Sequence, residues 1–159
     1  MSEALDEMIQ GCRKCQLRNN MILNPVSPEW KGNPKGGIMF ILSQNLTIEN
    51  DMMQEVISGV NRAIFIKMIE EYSNTWYITN FVKCRTDESG NYKMGETRTC
   101  INWLDIEKER VEPSLVVGFG ANLKKFVQCD HYLPSVNNLV GSKKNRQLLH
   151  DILKDFYKV

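Results

Sequence analysis

The chain has 159 residues, 42% hydrophobic and 25% charged, with 20 Lys and Arg against 19 Asp and Glu for a net charge of +1. That is enough apolar material for one ordinary core without disulfide staples, and it excludes disordered and fibrous classes. The longest uninterrupted apolar run, Ile38 to Leu42, falls far short of the roughly 20 residues that cross a bilayer. The acidic N-terminus, with no basic residue before Arg13, is the reverse of a secretory leader. A cytosolic protein is expected, or one of a host's cytoplasm if the source is a virus. Near-zero net charge leaves a nucleic-acid partner open, because what matters is whether Lys and Arg gather on one face.

In chain order, Leu5 to Leu17 begins with helical spacing at Leu5, Met8 and Ile9 and turns at Gly11. Asn24 to Gly37, with three Pro, three Gly and a Trp, reads as an ordered loop. Ile38 to Leu42 is apolar throughout and predicts a strand buried on both faces. Met52 to Tyr72 is helical, broken at Gly59, and Trp76 to Val82 is a second strand of aromatic and β-branched residues. A polar loop from Arg85 to Gly95 follows. Glu96 to Val111 is a helix that sets Cys100, Trp103 and Leu104 on one face, Glu107 to Arg110 outward, and is closed by Pro113. Leu115 to Gly120 is a third buried strand, Ala121 to Val127 a short helical segment, and about Lys144 to Tyr157 a final helix. The alternation predicts a single α/β domain of three layers, α/β/α, around a mostly parallel sheet of about four strands. Ligands of such sheets bind beyond the carboxyl ends of the strands, here Ser43 to Leu46, Asn80 to Arg85 and Gly120 onward.

The five cysteines are the most informative feature. In a reducing compartment their spacing reads as ligands or as small buried hydrophobes. Cys12-x-x-Cys15 stands far before Cys84, and fifteen residues separate Cys84 from Cys100. Four thiolates in two groups suit a tetrahedral zinc or an iron–sulfur cluster, and spacing leaves the two open. Cys129 has no partner at ligand spacing and reads as a small buried or half-exposed thiol.

Cys12-x-x-Cys15-x-Leu17, the strand Ile38 to Ile41, Tyr77-Ile78-Thr79-Asn80-Phe81-Val82-Lys83-Cys84-Arg85, Cys100 opening a helix, and Pro113 to Ala121 together resemble the iron–sulfur, family 4, uracil-DNA glycosylases. The likeness covers roughly Leu5 to Phe126, and Tyr77 to Arg85 is close to that family's Y-I-T-N-x-V-K-C-R signature. It implies a 4Fe-4S cluster on Cys12, Cys15, Cys84 and Cys100, in preference to zinc, that orders the Cys84 to Cys100 loop. It also implies that Asn80 reads the edge of a flipped base.

The reacting end departs from the family. Excision of a base needs stabilisation of a sugar cation and of a departing base anion. Where the family has a G-E-A-P-G loop, this chain reads Leu42-Ser43-Gln44-Asn45-Leu46, without the glycines, the proline or the carboxylate. Gln44 or Asn45 could still position a water. The family's stacking aromatic aligns with Gly59, and its His-Pro-Ser loop reads Leu133-Pro134-Ser135, only thirteen residues after strand three counting from Ala121. His131 lies two residues too early for the histidine's role. The expectation is a non-catalytic relative that binds DNA, single-stranded included, or a protein partner of DNA metabolism. The alternative is an active glycosylase excising uracil or a modified base. Candidate nucleic-acid contacts are Lys83, Arg85, Ser135, Lys143, Lys144 and Arg146, with Arg13, Lys14, Arg18, Lys124 and Lys125 as further cations and Trp30 and Trp76 as stacking rings.

Overall fold

The computed structural model describes residues 3–86 and 92–158. Its strands are β1 (Glu29–Lys31), β2 (Ile38–Leu42), β3 (Trp76–Asn80), β4 (Leu115–Phe119) and β5 (His131–Leu133), in the spatial order β1-β3-β2-β4-β5. All neighbours run parallel except β1, which pairs antiparallel with β3, Trp30 opposite Tyr77. The helices are α1 (Glu3–Gln10), α2 (Ile48–Met53), α3 (Gly59–Glu70), α4 (Met94–Cys100), α5 (Asn102–Val111), α6 (Val136–Val140) and α7 (Lys143–Tyr157).

Every residue of β2 and β3 is buried, so both faces of the sheet are covered. Alternation along the strands assigns the layers. Phe40 of β2 and Phe119 of β4 meet Phe65 of α3, with ring centroids 5.9 and 5.2 Å away and near-perpendicular planes. One residue along and on the opposite face, Tyr77 of β3 donates its hydroxyl to Glu107 of α5 at 2.7 Å. α3 and α5 therefore lie on opposite sides, and the three-layer expectation holds with five strands rather than about four.

The differences have local causes. Asn24 to Gly37 is not all loop. Gly32, at φ +66°, turns so close to Thr75 that a Cβ there would come within 2.7 Å of its methyl, which lets β1 fold back on β3. The break expected at Gly59 within Met52 to Tyr72 falls before that glycine. The first of the two helices starts earlier, at a reciprocal cap in which Asn50 N–H donates to Thr47 Oγ1 and Thr47 N–H to Asn50 Oδ1, and ends with Gln54 in the left-handed region. Residues 54–58 separate it from α3, which Gly59 opens. The Glu96 to Val111 helix is two, breaking at Ile101, and its presumed outward Glu107 is fully buried. Part of the expected polar loop, residues 87–91, lies outside the described residues.

Candidate functional site

Two places bring the sequence candidates together. The first is a small pocket lined by Cys12, Cys15, Cys84 and Cys100 with Arg18 and Trp103. Leu5, Ile9 and Leu17 anchor the N-terminal segment in the core and thereby carry Cys12 and Cys15 to the pocket. Cys84 comes three residues beyond the end of β3, after Phe81, Val82 and Lys83, and Cys100 closes α4. Burial pushes the Cys84 thiol well up and the Cys100 thiol to about 11, with nearby Lys83 acting against the latter rise. The Lys83 N–H donates to Cys100 Sγ at 3.1 Å.

Among the described residues no group of three or more His, Cys, Asp or Glu side chains is arranged to hold a metal ion. A mononuclear zinc gathers its thiolates about one point at about 2.3 Å. Cys12, Cys15, Cys84 and Cys100 nonetheless line one pocket, and four thiolates are the number that a 4Fe-4S cluster takes. Arg18 Nε and Trp103 Nε1 are buried there without hydrogen-bond partners, and such donors suit the sulfur acceptors of a cluster. The donor set fits an iron–sulfur cluster. Lys14 lies 4.6 Å over the Trp103 ring.

The second place is the carboxyl end of the sheet. Ser43, in the position of the family's carboxylate, donates its hydroxyl to the Phe119 carbonyl at 2.7 Å. Gly120 faces it with φ +111°, and a Cβ at Gly120 would fall 1.8 Å from Ser43 Oγ. Asn80 is fully buried and its amide is engaged by that loop and by the segment after β3: Oδ1 accepts from Gln44 N–H at 2.9 Å, and Nδ2 donates to the carbonyls of Gln44 at 3.0 Å and Val82 at 2.8 Å. Leu42 and Leu46 are buried beside it, Gln44 is half-buried and Asn45 is exposed.

Beyond this loop opens a pocket of about 320 Å³, with Phe81, Tyr92 and Phe126 among its walls and Asn45, Asn122 and Lys125 among its polar lining. Tyr92 joins the two places. Its hydroxyl accepts from Leu46 N–H at 3.1 Å and donates to the Cys84 carbonyl at 2.7 Å, while its ring meets Phe81 edge-on at 5.8 Å. Burial raises the Tyr92 phenol well above its ordinary range, so it remains the donor in that bond.

Several expected nucleic-acid contacts are corrected. Lys83 is 1% exposed; its ammonium donates to Glu107 at 2.9 Å, to Thr79 Oγ1 at 2.7 Å and to the Asn80 carbonyl. A lysine so enclosed cannot reach phosphate. Arg85 is ion-paired at 3.2 Å with the buried Asp51 and donates to the Asn20 carbonyl, so it fastens the N-terminal segment instead. Asp51 also accepts from Ile22 and Leu23 N–H. Trp76 is buried and offers no face for stacking, whereas Trp30 is half-buried on β1. His131 lies beside Leu115, Ile152 and Phe156, at the opposite end of the strands. Cys129 is a half-buried thiol, its sulfur packed toward Gly118 and pushed up to about 11 mainly by burial.

Lys143 and Lys144 are exposed, as are Arg13, Lys14, Lys124 and Lys125. Because Ile152 and Phe156 of α7 sit beside the starts of β4 and β5, the first turn of α7 points toward the carboxyl end of the sheet. Lys143, Lys144, Lys125 and Ser135, which follows β5, therefore share that end. Arg146 is half-buried and spends one nitrogen on the Val140 carbonyl at 2.6 Å.

A family model described as the Uracil DNA glycosylase superfamily matches residues 29–156. The chain belongs to that superfamily. It is similar to a type-4 uracil-DNA glycosylase of Sulfurisphaera tokodaii, 26% identical over 132 residues, covering 79% of this chain and 57% of that one. A type-4 uracil-DNA glycosylase of Archaeoglobus fulgidus is 26% identical over 131 residues, 79% of this chain and 64% of that one. The chain thus spans about three fifths of the length of these curated relatives. Cys12 and Cys15 precede the stretch matched by the superfamily model, whereas Cys84 and Cys100 lie within it. No helix among the described residues is long and apolar enough to cross a membrane.

Proposed function

We propose that the chain is a nucleic-acid-binding member of the uracil DNA glycosylase superfamily that keeps the scaffold and an iron–sulfur site but has lost glycosidic hydrolysis. One observation carries this reading: the two side chains in the family's reacting positions are spent on the backbone around them. Ser43 holds Phe119 and Asn80 holds Gln44 and Val82, so neither presents a charge or a free amide edge to a base. Gly59 has no ring with which to stack a base, and Leu133 is buried in β5 where a histidine would stand.

Cys12, Cys15, Cys84 and Cys100 would hold a 4Fe-4S cluster. When bound, it would cross-link the N-terminal segment, the end of β3 and α4. The chain's own contribution is the buried frame: Lys83 N–H on Cys100, Arg85 on Asp51, and Tyr92 between Cys84 and Leu46. Lys143 and Lys144 stand in the first turn of α7, where positive charge opposes the helix dipole and is stabilised by an anionic partner. Phosphate contact by these lysines and Ser135, with Arg146 behind them, would place a strand of DNA across the carboxyl end of the sheet.

The test is incubation of anaerobically purified, iron-loaded protein with single- and double-stranded oligonucleotides containing uracil. Binding whose log K falls with log salt and no abasic product are expected. Abasic product that disappears in Gln44→Ala or Asn45→Ala would overturn the reading and make those amides the water-positioning groups. Absence of binding to any oligonucleotide would favour a protein partner instead.

A further inference from the structure

Two of the residues that line the cysteine pocket stand three places after a cysteine. Arg18 follows Cys15 in a short 3₁₀ turn, Gln16–Asn20, and its backbone N–H donates to the Cys15 carbonyl at 3.4 Å. Trp103 follows Cys100 across the break at Ile101 and stands in the first turn of α5. A spacing of three sets both members of each pair on one side of the turn, so the segments that deliver these cysteines deliver a guanidinium and an indole with them. Trp103 is 4% exposed, and its Nε1–H has no acceptor. Arg18 is half-buried; its Nη2 reaches the Leu23 carbonyl at 3.4 Å, while its Nε is buried and unpaired. Neither group reaches a cysteine sulfur, although the Lys83 N–H does at 3.1 Å. Buried unpaired N–H groups are costly, so two around one pocket call for an acceptor inside it. The described lining holds no carboxylate to take that place.

We propose that Trp103 and Arg18 donate these N–H groups to sulfurs of the cluster and thereby favour its reduced state, which carries one more negative charge. The inference rests on the iron–sulfur reading above and deepens it, from the residues that hold the cluster to the residues that set its potential. Hydrogen bonds to the sulfurs are among the terms that tune such potentials, and a donor binds the more negative state more strongly. Reduction takes one electron from an external donor, in the experiment an electrode, and breaks no bond. Arg18 brings a positive charge as well as a donor, whereas Trp103 brings only its N–H, so the two contributions are separable.

The experiment titrates anaerobically purified, iron-loaded protein at an electrode and follows the visible absorbance of the cluster. Trp103→Phe, which keeps a ring and loses the N–H, should shift the reduction equilibrium about tenfold toward the oxidised state, about 59 mV lower for one electron. Arg18→Met, which loses donor and charge together, should shift it further in the same direction. Cys129→Ser, outside the pocket, should leave it at the parental value. A second measurement needs no variant. Reduced protein carrying heavy nitrogen in its indole rings should show a hyperfine coupling to the cluster that the unlabelled protein lacks, since Trp30 and Trp76 do not line the pocket. This decides the assignment even where Trp103→Phe fails to hold iron. Absence of that coupling, or potentials of both variants within about twofold of the parental equilibrium, would overturn the two donors while leaving the cluster standing. A parent without iron, sulfide or visible absorbance would remove the cluster and its donors together.

Discussion

Lys83→Met separates a lysine that holds the fold from one that touches DNA. The Lys83 ammonium is shielded from water and shared among Glu107, Thr79 and the Asn80 carbonyl; Glu107, also fully buried, binds Tyr77 through its other oxygen. Removing one partner of such a pair leaves the other buried and unpaired, at a cost of about 3–5 kcal/mol. For a domain of this size each kcal/mol moves Tm by about 2–4 °C, so a fall of roughly 6–20 °C is expected. In a Glu107→Gln background, where the charge is gone and the Tyr77 hydroxyl keeps an acceptor, the same substitution should cost less than half as much. Thermal unfolding by circular dichroism, with iron content matched between variants, measures both. The salt slope of oligonucleotide binding should stay at the parental value. A Tm within about 2 °C of the parent, together with a slope reduced by about one, would refute the structural role and return Lys83 to the phosphate surface.

Further outcomes follow from the other contacts. Gly120→Ala should cost at least about 1–3 kcal/mol in urea denaturation, since it adds a Cβ at a positive φ and against Ser43; a neutral result would show that the loop is not packed as described. Cys84→Ser or Cys100→Ser should abolish bound iron and visible absorbance and lower Tm, whereas Cys129→Ser should leave iron content unchanged. Arg62 forks onto Glu29 with bonds of 2.6 and 2.8 Å, and its guanidinium pKa is raised chiefly by that bond, so Arg62→Met should cost about 1–3 kcal/mol and speed amide exchange in β1. Unchanged exchange at Trp30 and Lys31 would count against it.

The central strands were legible because β2 and β4 are short apolar runs bounded by turn residues and β3 is rich in aromatic and β-branched residues, and the cysteines singled out by their spacing line one pocket. The edge strands were not, because Glu29–Lys31 and His131–Leu133 are three residues long and carry charged or polar side chains. Their pairing depends on Gly32 and on the length of the segment after β4, which no periodicity records. Glu107 was misread from its charge, although it falls on the stripe of Trp103, Leu104 and Val111 at helical spacing. Lys83 and Asn80 were legible as members of a signature but not in their roles. A motif names side chains, whereas burial decides whether an ammonium or an amide serves the solvent or the interior. Tyr92 and Phe126 carried no signal of their own, since one sits in a polar loop and the other ends a short helical turn.

The brevity of those two outer strands reaches beyond this domain's own architecture. Each margin of the sheet offers a neighbouring chain only a few free amides and carbonyls, flanked by Glu29 and Lys31 on one side and an exposed His131 on the other. Strand-by-strand fusion into larger sheets is thereby blunted. Edge-to-edge growth of the sheet should therefore be weaker than in a sheet with longer, barer margins.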